Sequence, residues 1–428
     1  MKSTTVLGGI SLTLALIFII NGIYSYERLA SSLAGKCQCD CTSPNSLVSQ
    51  KISEKNQTQI TRKPGYHFVF NIDCYNYKQN WQSFMLFYTF LLYYDEFSGS
   101  TLTELVSCKN LSYVSPWKEK LPSHVFTQTV ADFQILRPDI VKESPYWPYN
   151  KPLALKQWLD SGKAPDENAF VVVIDPDFMF LRPLSREFQN ITVDQIVANH
   201  YDLGDWSVYP YISEVCNRTK NCTELPKDKK QQHSVGVPNI MHMSTLQRIV
   251  DNWFNYTVMI KATGKGGWSD EQFAYIFSVV MANVEHIKRT DLMVSHAKPG
   301  TTNKQTNKQA NKKSKQKKQT KINKQQKIKK RFSTSCSIFF FSIEWGEMEW
   351  SEKTPHYFIH YCQDYQVGNN KEWSWAKHDF HKDAVFKCEN PPMQLAPNLP
   401  GFARQGWFAV VISQNFLGAW KWWKQLFC

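Results

Sequence analysis

The run Phe170-Val171-Val172-Val173-Ile174-Asp175-Pro176-Asp177 holds the residues best placed to do chemistry. Five β-formers end in two carboxylates spaced i, i+2. A short continuous apolar run reads as a buried central strand. In open α/β sheets, ligands bind beyond the carboxyl ends of such strands. If the chain stays extended, Asp175 and Asp177 point the same way and reach one hard cation. A divalent ion held there can neutralise a diphosphate. The competing reading is a strand that ends in a solvated turn, where Asp and Pro are favoured in any case.

Other residues could complete such a centre. His360, in Phe358-Ile359-His360-Tyr361-Cys362, ends a second β-run and offers a nitrogen ligand; taken alone it reads equally as a core or surface histidine. Two carboxylates and an imidazole suit Mn²⁺ first and Mg²⁺ second. In a variant of this reading Asp175 touches a ribose or sugar and leaves the metal to Asp177. Lys377, in Trp373-Ser374-Trp375-Ala376-Lys377, is either a diphosphate contact or a solvated lysine. Trp268, Asp270 and Glu271 follow Gly264-Lys265-Gly266-Gly267, a loop that feeds a helix start. Carboxylates in a first helical turn satisfy the macrodipole. The functional alternative sets one of them against a sugar. No Lys-Ser/Thr ends the glycine-rich stretch, so it is not a Walker loop.

Alternating elements must position these groups. Residues 66–72, 101–107, 125–129, 170–174 and 196–201 read as strands, and residues 81–94 as a buried helix. Pro152 opens a helix that continues through residues 153–159 and stops at Gly162. Ser244 opens another, with Leu246, Ile249, Val250 and Trp253 at helical spacing. Asp270 and Glu271 begin a third, which continues through Phe273, Ile276, Phe277 and Val280. This alternation implies an α/β fold with a largely parallel sheet covered on both faces. The Trp-rich residues 401–428 read as an amphipathic helix on a membrane surface or as a packing helix.

The 428 residues suffice for one large domain or two ordinary ones. Residues 6–23 are almost wholly apolar and uncharged, long enough to approach the hydrocarbon thickness, and read as a signal-anchor after a five-residue cytosolic tail. A cleaved signal peptide is the alternative. A polar stem over 24–64 leads into a folded region over 65–400. Six N-x-S/T sequons, at Asn56, Asn110, Asn190, Asn217, Asn221 and Asn255, agree with a lumenal surface. Among 11 cysteines, Cys216 with Cys222 and Cys362 with Cys388 are the pairings that spacing suggests. A zinc site is the rival reading for Cys37, Cys39 and Cys41. The net charge of +13 resides in residues 301–331, which hold thirteen Lys or Arg and no acid. That run lies within a low-complexity insert over 301–349. It lacks the aromatic interleaving of a nucleic-acid binder, so no specific nucleic-acid partner is expected.

Taken in order, several pieces resemble the peptidyl serine α-galactosyltransferases and the related hydroxyproline O-arabinosyltransferases. They are His67-Phe68-Val69-Phe70 with Cys74 and Trp81; Tyr149-Asn150-Lys151-Pro152 with Trp158-Leu159; Val173-Ile174-Asp175-Pro176-Asp177; Gly267-Trp268 with Glu271; Asp291-Leu292-Met293; and His360-Tyr361. Trp373-Ser374 with Lys377, His378, His381 and Cys388 leans to the serine branch. Pro176, and Gly236 in what reads as a following loop, lean to the arabinosyl branch. The resemblance implies a glycosyltransferase A-type fold and a type II membrane protein of the endoplasmic reticulum or Golgi. It implies a UDP-sugar donor, a divalent cation, and transfer of galactose or arabinose to a Ser or hydroxyproline hydroxyl with retention of configuration. It assigns Asp175, Asp177 and His360 to the metal, Asn150, Lys151, Asp175 and Lys377 to the donor, and Glu271 to the reacting sugar, with adjacent Asp270 contending for that last place. The insert interrupts what is a short connection in the family. The rival functions are another sugar-nucleotide-dependent enzyme and a non-catalytic membrane-anchored scaffold.

Overall fold

The computed structural model describes residues 65–75, 77–138, 147–201, 231–263, 269–295, 356–362, 364–367, 373–376, 388–389, 393–396 and 403–428. The expected tail, anchor and stem lie outside these residues. So do the glycine-rich loop with Trp268, the Cys216–Cys222 pairing, the insert, Lys377, and the sequons at Asn56, Asn217 and Asn221. Among the described residues, no helix is long and apolar enough to cross a membrane.

A seven-stranded sheet forms the centre. Its strands are β1 (Tyr66–Asp73), β2 (Thr101–Cys108), β3 (Val125–Ala131), β4 (Phe170–Val173), β6 (Gln195–His200), β7 (Val235–His242) and β8 (Glu285–Arg289). They run in the order β3-β2-β1-β4-β7-β6-β8. The β3-β2-β1-β4 half is parallel, β7 is antiparallel to both neighbours, and β8 runs parallel to β6. The fold is therefore mixed α/β with a mainly parallel sheet, as the alternation implied. The strands β5 (Phe178–Phe180), β9 (Met293–Val294) and β10 (Phe358–His360) make a second small sheet, and β11 (Asp364–Val367) pairs with β12 (Trp373–Ala376).

Alternate side chains of each strand enter opposite faces. Val69, Leu105, Val171 and Val173 face one core, packed with α2 (Asn150–Asp160), α3 (Met243–Ala262) and α4 (Asp270–Met281). Phe68 and Phe70 face the other and meet Phe90 and Phe87 of α1 (Tyr77–Leu91), at ring separations of 5.8 Å each. The helix α5 (Ala403–Phe427) lies on α1 by the same means: Trp422 stacks on Phe84 at 4.6 Å. Gly418 permits this approach, because a Cβ there would collide with the Tyr88 phenol. Phe408, Ile412 and Phe416 are fully buried, so the Trp-rich segment is a packing helix.

Two expectations need correction. Gly236 lies in the strand β7 and not in a loop. A Cβ there would come within 2.9 Å of the Gln272 amide and 3.2 Å of Tyr201, so a larger residue would have to displace both side chains. Cys388 bonds to Cys428 and not to Cys362, because α5 carries the last residue of the chain back to position 388. Cys362 is a free, half-buried thiol. A second disulfide, Cys74–Cys108, ties the carboxyl ends of β1 and β2.

Candidate metal centre and its surroundings

β4 leaves the main sheet just before its carboxylates. Ile174 N–H still donates to Val69 O at 3.0 Å, and Asp175-Pro176-Asp177 then turn. Proline has no N–H to continue the ladder. The chain resumes as β5, which pairs antiparallel with β10 and sets Phe178 opposite His360. The Tyr361 N–H donates to Asp177 O at 3.0 Å, and the His360 imidazole stacks on Phe178 at 4.9 Å. These contacts bring the third candidate ligand beside the first two. One donor atom from each of Asp175, Asp177 and His360 falls within 4.8 Å of the others. Ligand bonds of about 2.1 Å place two ligands of one ion at most about 4.2 Å apart, so the three atoms lie near that range. Two carboxylate oxygens and an imidazole nitrogen are compatible with a divalent cation.

His360 Nε2 lies 3.2 Å from Asp177 Oδ1. Burial disfavours an imidazolium here, but the adjacent Cys362 sulfur and the Asp177 carboxylate outweigh it and raise the His360 pKa. Negative charge that favours the imidazolium equally favours a cation in place of its proton. Lys151 enters from the first turn of α2, with Nζ 2.7 Å from Asp175 Oδ1 and 3.4 Å from Glu271 Oε2. Burial works against the Lys151 charge, yet Asp175 and Glu271 prevail and its pKa is raised. Glu271 is nearly buried; desolvation raises its pKa, and Lys151 pulls it partly back. The α4 start that carries it is pinned by the Trp253 indole N–H, which donates to Glu271 O at 3.1 Å.

Two further predicted residues, Asp270 and Asn150, make contacts within the scaffold. Asp270 is fully buried and turns to Lys261, at 3.3 Å, on the preceding helix. Adjacent helical positions differ by about 100° in direction, so Asp270 and Glu271 serve different neighbours. Asn150 is also buried: its amide donates to Asp73 and accepts from Phe133 N–H at 2.9 Å. It therefore anchors the helix turn that presents Lys151. Asp73, which the sequence reading missed, completes that anchor, and Asp132, also missed, caps the adjoining turn by accepting from Gln134 N–H. Burial pushes the Asp73 carboxyl up to about 7, the Asn150 amide opposes this, and Asp132 adds to it. Isolated acids at strand ends carry no local signal that would single them out.

No curated protein matches this chain. Among solved structures, the apo form of WbbM, a bifunctional glycosyltransferase, is similar over 56% of this chain at 13% identity and a TM-score of 0.37. The chain covers 41% of that protein's length. The model of the hydroxyproline O-arabinosyltransferase family N-terminal domain matches residues 66–288. That span runs from the first residue of β1 into β8 and takes in Lys151, Asp175, Asp177 and Glu271. With more than half of its length matched, the chain belongs to the hydroxyproline O-arabinosyltransferase family of glycosyltransferases.

Proposed function

We propose that this chain transfers a galactosyl or arabinosyl group from a UDP-sugar to a Ser or hydroxyproline hydroxyl of secretory-pathway proteins. The convergence of Asp175, Asp177 and His360 beyond the end of β4 carries the reading. A glycosyltransferase A-type frame accords with the parallel β3-β2-β1-β4 half-sheet and the carboxylates at its carboxyl edge. The uncharged run over 6–23 and the exposed Asn110 and Asn190 support a single-pass type II protein of the Golgi or endoplasmic reticulum.

Asp175, Asp177 and His360 are the residues that would hold a divalent cation, Mn²⁺ in preference to Mg²⁺. When bound, it supplies a Lewis acid that offsets charge growing on the departing diphosphate. Lys151 bridges the Asp175 and Glu271 carboxylates and holds them side by side. Glu271 lies against the donor sugar and stabilises positive charge as the anomeric bond loosens. The acceptor hydroxyl attacks the anomeric carbon on the face that UDP leaves, so configuration is retained. Its proton passes to the departing phosphate oxygen. Lys377 is a second positive contact for that diphosphate.

The test is UDP release from a panel of UDP-sugars, with Mn²⁺ or EDTA, and with a Ser- and hydroxyproline-rich peptide present or absent. Release that needs metal, peptide and one sugar is expected. An Asp177→Ala protein that kept full Mn²⁺-dependent transfer would overturn the metal assignment.

A further inference from the structure

His360 lies beyond the matched family domain, and its support comes from the last helix of the chain. Two residues hold its backbone. The Tyr365 hydroxyl bonds to His360 O at 3.2 Å and shares its hydrogen with Ser295 O at 3.1 Å. Tyr361, the next residue, bonds through its N–H to Asp177 O at 3.0 Å. The Tyr365 ring rests on α5 directly, and the Tyr361 ring reaches it through two indoles. Phe408 stacks on Tyr365 at 5.7 Å. Phe416 packs on Trp81 at 5.1 Å and on Trp375 at 5.5 Å. Those two indoles flank the Tyr361 ring at 5.9 and 5.7 Å. All six rings are buried, and the Cys388–Cys428 bond fastens the far end of the helix.

We propose that Phe408 and Phe416 are positioning residues for the third metal ligand, so that α5 sets the cation affinity of the site. The proposal rests on the metal reading above. A metal site tolerates only about 0.5 Å of ligand displacement. His360 sits on a three-residue strand, too short to hold that tolerance by its ladder alone. Close-packed aromatic rings transmit displacement, because a core of this density has no slack. Loss of ring volume at Phe416 lets Tyr361 relax away from Asp177 and takes His360 with it. Trp422 is the internal control. It is also buried on the same helix, but it packs on Phe84 and Tyr88, away from the strand of His360.

The experiment titrates the full chain with Mn²⁺ alone, following free ion by electron paramagnetic resonance, and records thermal melting of the same samples. Phe408→Leu, Phe416→Leu and Trp422→Leu keep an apolar side chain at each position. The expected result is Mn²⁺ affinity about tenfold or more weaker in Phe408→Leu and Phe416→Leu, the range for outer-shell supports. Trp422→Leu stays within about twofold of the unaltered chain although it melts no higher than the other two. Unchanged affinity in Phe416→Leu overturns the proposal. So does a loss in all three variants that simply follows their melting temperatures. An unaltered chain that takes up no Mn²⁺ overturns the metal reading itself, and this inference with it.

Discussion

Replacing Lys151 with methionine isolates the electrostatics of the site. Nζ lies 2.7 Å from Asp175 and 3.4 Å from Glu271. At an effective dielectric constant of about 20, those attractions are about 6 and about 5 kcal/mol before desolvation. The two carboxylate oxygens touch one atom, so they lie no more than about 6 Å apart and repel by at least roughly 3 kcal/mol. Their side chains are only 22% and 10% exposed, so solvent screens them weakly. Lys151→Met keeps the apolar stem and leaves two crowded anions without a cation. Deleting one partner of such a group costs about 3–5 kcal/mol. Proton uptake limits the loss, and this sets its pH dependence. Burial already raises the Glu271 pKa, and removing Lys151 raises it further. A carboxyl whose folded pKa exceeds its unfolded value contributes stability at low pH and loses it as pH rises. The deficit should therefore be about 3 kcal/mol at pH 8 and fall towards about 1 kcal/mol at pH 5, where a proton replaces the ammonium. Urea unfolding followed by tryptophan fluorescence at both pH values measures it, and added Mn²⁺ should narrow the gap at pH 8. A deficit below about 1 kcal/mol at pH 8, or one equal at both pH values, would refute the reasoning.

Glu104 offers a second titration away from the site. It is fully buried on β2, and desolvation pushes its carboxyl up to about 7 against the opposing contacts of Ser83, Ser115 and Trp117. The chain should thus lose about 3 kcal/mol as pH rises from 4.5 through 7, and Glu104→Gln should flatten that slope in urea melts. Glu271→Gln should lower kcat by about 100-fold or more with stability nearly kept, since its proposed role is charge in the transition state. Asp270→Asn should instead cost about 2–3 kcal/mol by weakening its pairing with Lys261, with kcat changed much less; stability and turnover measured on both variants separate the roles. When the chain passes through a secretory host, glycans are expected at Asn110 and Asn190, which are exposed in turns. Asn255 should be bare, because it sits within α3 and the buried Thr257 hydroxyl already donates to Trp253 O; peptide mass spectrometry reads all three.

Much of the frame is legible because its signals are local. The run Phe170 to Ile174 is apolar at every position and meets its carboxylates abruptly, and the buried stripe of α3 repeats at helical spacing. β7 escaped notice because Gly236 and Pro238 break its pattern. Pairing with β6 jumps from Asn239 to Gly236 at that point, so the sheet absorbs the two breakers in a bulge. β5 and β9 are three and two residues long, and β8 buries only one of its five side chains, too little for any periodicity. Asp270 and Glu271 could not be separated by sequence because both are buried, and only their partners Lys261 and Lys151 tell them apart.

The centre divides along the same line. Asp175 and Asp177 are set by two residues of spacing, which survives any rearrangement elsewhere. His360 depends on a pairing of three residues with three, across a long chain separation and the basic insert. Nothing in Phe358-Ile359-His360 chooses β5 as its partner. Closing so long a loop carries an entropic cost that a three-residue ladder does not offset alone. The compensation comes from aromatic packing of Trp81, Tyr361, Tyr365 and Trp375 under Phe408 and Phe416, residues scattered over α1, the β11–β12 hairpin and the last helix. A ligand recruited in this way is visible in sequence only as a candidate type, and becomes a site only when the whole chain has folded around it.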